Sequence, residues 1–365
     1  MATTALHKRS KRGATAAGRL ISRQMKIVID DKIPYIREAI SRITDNAVYR
    51  KGTEISAEDV RNADALIVRT RTKCNEKLLK GSSVKFVATA TIGFDHIDAD
   101  YMRRAGIEWM SCPGCNAASV AQYLRSVLLL LKRQKGMVLE SSTIGIVGCG
   151  HVGSKVKKVA EEYGMHVLVC DPPRQERGDE GQFVTMDEIE QQCDVITFHV
   201  PLTRNGLYHT YHLADEGFFN RLRRRPVIIN TSRGEVVDND ALLSALIYNK
   251  VRDAVIDTWE NEPCINLRLM DKVWIATPHI AGYSADGKVN ADNMVLEGLC
   301  RHFGIDVPCR ICPPSLPETF VPAADDDDLR LQLYNPLDDS ARLKASPESF
   351  EELRGNYPLR RESAE

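Results

Sequence analysis

Three side chains in the second half of the chain could share one reaction. Arg233 follows Asn230-Thr231-Ser232 and could clamp a carboxylate through two guanidinium N–H groups. His279, in Thr277-Pro278-His279-Ile280-Ala281-Gly282-Tyr283, could take a hydroxyl proton. Glu262, in Asp257-Thr258-Trp259-Glu260-Asn261-Glu262-Pro263, could hold the imidazole in one tautomer and raise its pKa. The set suits hydride removal from a carbon that bears a hydroxyl beside a carboxylate. Singly each is ordinary: a surface charge, a turn residue before proline, a packed histidine. The argument for a shared site is that each follows an apolar, strand-like run, at 227–230, 254–257 and 273–277. In an open parallel sheet the C-terminal strand ends lie on one edge, where ligands bind.

A hydride needs an acceptor, and residues 141–171 suggest one. The apolar run Ile144 to Val147 ends in Gly148-Cys149-Gly150-His151-Val152-Gly153, which opens into a helical stretch, 154–163. Gly148 allows a tight turn, Gly150 lets backbone approach a diphosphate, and Gly153 lets helix and strand pack closely. The diphosphate would rest on amides at the positive end of the helix dipole. A second strand, 166–170, ends in Asp171, at about the ~20-residue offset of an acid that binds a ribose 2′-hydroxyl. Asp171 would repel a 2′-phosphate, which favours NAD over NADP, although Arg174 sits close by. Beyond Asp171 the sequence predicts the three strands that end near Arg233, Glu262 and His279.

The other elements must position these groups. From Met25 to Cys115 strands (26–30, 65–69, 85–89) alternate with helices (33–43, 75–80, 98–105), which predicts a parallel sheet flanked by helices. This first unit lacks a glycine fingerprint and is expected to face the dinucleotide domain across a cleft. Asn116 is expected to cap a helix over 117–134 that crosses into the second domain, and a helix over 285–303 should cross back. After Gly304 the chain turns Pro-rich and acidic, with a last helix signal at Ser346-Pro347 and apolar Phe350 and Leu353. This tail has too few large apolar residues to fold alone and should pack on the body or on a second subunit. The reading is an α/β chain of two Rossmann-like domains: 25–116 with 279–304 for substrate, 117–278 for NAD, and a dimerisation-type segment over 305–365.

A net charge of −1 over 365 residues gives no reason to expect nucleic acid or an anionic membrane as partner. The longest apolar run, 127–131, is far too short to span a bilayer. Ten cysteines scattered through apolar surroundings suit reduced thiols in the cytoplasm. Cys112-x-x-Cys115 and Cys309-x-x-Cys312 lie too far apart for the usual paired zinc spacing, so no metal is expected. Residues 1–24 carry six Lys and Arg and no acid. They read as a disordered leader or upstream sequence, with an organelle transit peptide as the alternative.

The glycine turn, Asp171, Asn230-Thr-Ser-Arg-Gly234, Asp257-Thr-Trp-Glu-Asn-Glu-Pro263 and Thr277-Pro-His-Ile-Ala-Gly282 resemble the NAD-dependent D-2-hydroxyacid dehydrogenases. The resemblance covers Met25 to about Asp306 and, more loosely, Phe350-Glu-Glu-Leu-Arg354 and Asn356-Tyr357 in the tail. It implies Arg233 and Glu262 as active-site residues and His279 as proton donor and acceptor. It implies cofactor contacts at Asp171, Val200, Asp257 and Gly282, beside those expected from Gly148, Gly150, His151, Val152, Gly153, Thr231, Ser232 and Arg233. Substrate contacts are implied at Thr70, Thr91 and Tyr283. The stretches Pro113-Gly-Cys-Asn116, Cys170-Asp-Pro-Pro-Arg174, Arg177-Gly-Asp-Glu-Gly181 and His279-Ile-Ala-Gly-Tyr283 point within the family to a member acting on a phosphorylated 2-hydroxy acid, and a homodimer is expected. A terminal phosphate would need cations opposite Arg233, and Arg69, Arg71 and Lys73 offer them unless they are plain surface charge. Other family members, of 3-phosphoglycerate or glyoxylate/hydroxypyruvate type, and an NAD-sensing protein without turnover are the competing readings.

Overall fold

The computed structural model describes residues 24–364, so the leader falls almost wholly outside the description. Contacts divide the described chain into two compact units, residues 24–115 with 288–313 and residues 116–287 with 314–364.

In the first unit five parallel strands run in the order β2-β1-β3-β4-β5. They are β1 (Ile27–Asp30), β2 (Ala47–Arg50), β3 (Ala65–Val68), β4 (Phe86–Thr89) and β5 (Glu108–Met110). The three inner strands are buried along their whole length, as unbroken apolar runs in a helix-covered parallel sheet should be. The edge strands β2 and β5 were not expected. They are only half-buried and mix Arg50 and Glu108 with apolar residues, so pairing with a neighbour, rather than local pattern, makes them strands. The helix Ala285–Phe303 puts Ala291, Val295, Leu296 and Leu299 into this unit's core. Cys112 and Cys115 are buried in the same core, with Cys309 packed against it.

The second unit holds six parallel strands in the order β11-β10-β9-β8-β6-β7. They are β6 (Thr143–Val147), β7 (His166–Cys170), β8 (Val195–Phe198), β9 (Val227–Asn230), β10 (Asp253–Ile256) and β11 (Ile275–Ala276). After Asp171 there are thus four strands, not three. β8 is the one missed, and it lies at the centre, between β6 and β9. The strand order reverses at β6 and β8, a switch point of the kind where open α/β sheets bind ligands. The helix Ala117–Lys135 buries Tyr123, Leu124, Val127, Leu128 and Leu131 against one face and ends in a left-handed Gly136. Asn116 occupies its N-cap position, but its side chain makes no capping bond.

The tail folds onto this second unit. Helices Asp326–Leu333, Pro336–Ala345 and Phe350–Gly355 follow a long irregular stretch. Leu343 and Phe350 are fully buried in the core beneath β9 and β10. Ser340 Oγ accepts from Ala276 N at 3.0 Å, so the tail satisfies a backbone donor on the edge strand β11 that would otherwise stand open. Arg133 of the long helix pairs with Asp328 at 2.6 Å. Among the described residues no helix is long and apolar enough to cross a membrane. If the tail is an integral layer, Phe350→Ala should cost about 3–5 kcal/mol, the usual range for emptying a buried phenylalanine site. Thermal or urea unfolding measures this, and a loss below about 1 kcal/mol would show that the tail is only loosely attached.

Candidate active site

Arg233, Glu262 and His279 all lie just beyond the C-terminal ends of β9, β10 and β11, three neighbouring strands of one parallel sheet. Sheet topology therefore brings to one edge what the sequence separates.

The central contact is between Glu262 and His279. His279 Nδ1 lies 2.8 Å from Glu262 Oε2 and 3.1 Å from Oε1, and Trp259 N donates to Oε1 at 2.9 Å. The carboxylate assigns the proton to Nδ1, which leaves Nε2 with a lone pair in the neutral ring. Among the described residues Nε2 has no partner. Burial alone would raise the Glu262 carboxyl. The bonds from His279 and Trp259 and the nearby charge of Arg354 outweigh it, and the group titrates below its ordinary range.

Asp257 builds the loop that carries His279. It is buried at the end of β10 and accepts from Thr277 Oγ1 at 2.7 Å, Ile280 N at 2.8 Å and Ala281 N at 3.0 Å. Thr277 spends its only proton on Asp257, so Tyr123 OH, 2.9 Å away, must be the donor to Thr277. His279 itself adopts a left-handed backbone, φ +58°, with its N–H bonded to Asp257 O at 2.8 Å. That strained turn is held from the other side by the tail. The buried Arg360 donates to Ile280 O at 3.1 Å and to Ala281 O at 2.6 Å, with its guanidinium 3.8 Å from the centre of the Tyr334 ring. The N–H groups of Ile280 and Ala281 thus go to Asp257 and their carbonyls to Arg360. The expected cofactor role of Asp257 rests on the family resemblance; the bonds it makes here are to this loop. Gly282 packs against Asn116: a Cβ there would stand 2.2 Å from Asn116 Nδ2.

Asn230 shapes the Arg233 turn. Its Oδ1 accepts from Ser232 Oγ at 2.8 Å and Ser232 N at 3.1 Å, and its amide donates to Arg233 O at 2.9 Å. Gly234 is required because a Cβ would lie 1.9 Å from Trp259 O. This close approach locks the Arg233 turn onto the loop that carries Glu262. Arg233 is half-buried, donates one bond to Ser232 O at 2.8 Å, and among the described residues has no acidic partner. A guanidinium so placed keeps most of its donors for a ligand carboxylate. Thr231 Oγ1 is buried with no partner among the described residues.

At the switch point the glycine turn has the form a dinucleotide needs. Gly148 has φ +88°, and a Cβ on it would strike His199 O at 2.7 Å. A Cβ on Gly153 would lie 2.0 Å from Gly148 O, so helix and turn touch backbone to backbone. A Cβ on Gly150 would meet no protein atom within 4 Å, so the protein's own packing does not call for glycine there. A ligand approaching that backbone would. His151 and Val152 begin the helix His151–Glu162, which starts three residues earlier than expected, and Val200 packs beside Gly148. Asp171 accepts from Cys149 N at 2.8 Å and from Arg174 N at 3.1 Å, which ties the acid to the turn. Arg174 is paired with Asp179 at 2.7 Å and bonded to Cys149 O. Its charge is therefore already matched by a carboxylate.

The remaining expected residues belong to other places. Tyr283 lies in the second unit and its phenol neighbours Arg354. In the first unit Thr91 Oγ1 lies 2.6 Å from Thr89 Oγ1 and donates to Gly93 O at 2.9 Å. Thr70 and Lys73 are exposed, and Arg69 donates to Lys32 O at 3.2 Å. Sequence reasoning missed Arg354 and Arg360, although Phe350-Glu-Glu-Leu-Arg354 had stood out as a fragment of family resemblance.

Residues 120–281 match the family model described as D-isomer specific 2-hydroxyacid dehydrogenase, NAD binding domain. The chain is 56% identical to the erythronate-4-phosphate dehydrogenase of Bacteroides thetaiotaomicron, over 93% of this chain and 97% of that one. It is 42% identical to the enzyme of that name from Porphyromonas gingivalis, over 93% of this chain and 94% of that one. Among solved structures, the D-lactate dehydrogenase of Aquifex aeolicus with NAD and lactic acid superposes with a TM-score of 0.63 at 26% identity, over 76% of this chain and 96% of that one. The NAD+-bound 3-phosphoglycerate dehydrogenase of Entamoeba histolytica gives 0.64 at 26% identity, over 80% and 99%. The chain belongs to the D-isomer-specific 2-hydroxyacid dehydrogenases, among the erythronate-4-phosphate dehydrogenases, and is an NAD-dependent enzyme.

Proposed function

We propose that the chain oxidises 4-phospho-D-erythronate to (R)-3-hydroxy-2-oxo-4-phosphooxybutanoate, a step of pyridoxal 5′-phosphate synthesis. The observation that carries the chemistry is the Glu262–His279 pair, with Nε2 of His279 unbonded among the described residues. The named relatives supply the choice of substrate. NAD+, when bound, supplies a hydride acceptor. The glycine turn from Gly148 to Gly153, Asp171, Val200, Thr231, Ser232, Asp257 and Gly282 are the residues proposed to hold it.

Arg233 clamps the substrate carboxylate and so aligns C2. His279 Nε2 takes the proton of the C2 hydroxyl, and the carbonyl forms as C2 gives up its hydride. Glu262 stabilises the imidazolium that results. In the reverse direction the same imidazolium returns the proton. Thr70, Thr91 and Tyr283 are proposed to bind substrate, with Arg69 and Lys73 at its phosphate. The enzyme is proposed to be a cytoplasmic homodimer, a setting that suits its ten free cysteines.

His279→Ala should lower kcat by roughly 10²–10⁴-fold, the usual worth of a positioned base. Oxidation should slow as pH falls through the His279 pKa, because the charged ring has no lone pair to accept a proton. A flat profile from acid to neutral pH counts against this role. Arg69→Ala and Lys73→Ala should raise KM for the phosphorylated substrate; an unchanged KM places its phosphate elsewhere. NADH formation across a panel of 2-hydroxy acids, phosphorylated and not, separates this substrate from 3-phosphoglycerate or glyoxylate-type substrates. No turnover at all would favour an NAD-sensing protein. Light scattering should give twice the 40.8 kDa chain mass, and a single-chain mass would remove the dimer.

A further inference from the structure

One carboxylate holds the His279 ring and a second holds its loop. Glu262 binds its Nδ1, and the buried Asp257, at the end of β10, accepts from Ile280 N in the His279 loop. A carboxylate beside an imidazole favours the charged ring, and a charged ring accepts no proton. The tail brings a cation to Glu262. Arg354, in the helix Phe350–Gly355, places Nη1 3.6 Å from Glu262 Oε2, with its side chain only 23% exposed. The same guanidinium neighbours the Tyr283 phenol and Glu351. Phe350 is fully buried and Leu353 packs on the same core, so this helix holds Arg354 firmly in place.

We propose that Arg354 is a positioning residue of the reaction: it shares the charge of Glu262 with His279 and holds Tyr283 in place. This rests on His279 being the proton acceptor. The charged and titratable groups around the pair are Arg233 beyond β9, Asp257 from the end of β10, Glu262 itself, Tyr283 beyond β11, and Arg354 with Glu351 from the tail. Arg360 spends its guanidinium on the carbonyls of Ile280 and Ala281 and on Tyr357 OH. With Arg354 gone, Glu262 would act on His279 undiluted and the ring would become more basic. The effect of one charge at this range in a half-buried site is about half to one pH unit.

The test is an NMR titration of His279 in NAD+-loaded, histidine-labelled enzyme, run beside the pH profile of kcat. Arg354→Gln should move the His279 titration and the acid limb of oxidation to higher pH by about half to one unit. Arg354→Lys, which keeps the charge, should restore the titration while KM stays raised through the lost guanidinium contact with Tyr283. A folded Arg354→Gln enzyme whose His279 titrates as in the wild type overturns the proposal, even if its kcat falls evenly at every pH. Should Arg354→Gln not fold, Glu351→Gln decides: it frees Arg354 to act on Glu262, so a downward shift supports the role and no shift overturns it. A titration that moves in an enzyme without turnover would instead refute the reaction and leave the Arg354–His279 coupling standing.

Discussion

The buried carboxylate of Asp257 is the constraint on which the site depends. An ionised carboxylate out of water is costly unless its lone pairs are met, and these are met by Thr277 and by two successive backbone amides of the His279 loop. Burial pushes the Asp257 carboxyl up, and the charge of His279 together with those bonds recovers part of the shift. In the conformation that satisfies this acid His279 is left-handed. Removing the acid would leave two buried amides and a hydroxyl without partners, so loop and acid specify each other.

Around that constraint the site is assembled from backbone contacts that tolerate little change. Gly234 lets the Arg233 turn lie on Trp259 O, and Gly153 lets the dinucleotide helix lie on Gly148 O. The parallel sheet supplies the common edge, and the tail then closes over it. Arg360 meets the carbonyls of the His279 loop, while Arg354 meets the carboxylate that orients the ring. The C-terminal segment thus holds both the loop of His279 and the carboxylate that meets its ring.

Much of this was legible in the residues themselves. The glycine turn, Asp171, Asn230 and the strand ends before Arg233, Glu262 and His279 stand in local patterns of apolar runs, glycines and polar stops. The inner strands declared themselves because they are apolar throughout. The edge strands β2 and β5 did not, since half of each faces solvent, and the central β8 went unread beside the strands that end in chemistry. The tail was the least legible: Asp326–Leu333 opens on three aspartates and buries no residue fully, so Arg133 and Tyr163 help a partly buried Leu331 to hold it. Arg354 and Arg360 could not be assigned from sequence, because their partners lie some eighty to ninety residues away and no periodicity links them.

The account turns on Glu262 acting through the His279 ring, and the pH profile of a Glu262→Gln enzyme tests that most directly. An amide keeps the shape and a hydrogen bond to Nδ1 but withdraws the charge that favours the imidazolium. The acid limb of oxidation should therefore move to lower pH, with a reduced plateau rate. A limb that stays where the wild type has it, or moves upward, would mean that the carboxylate does not set the basicity of His279, and the proposed division of labour at this strand edge would be wrong.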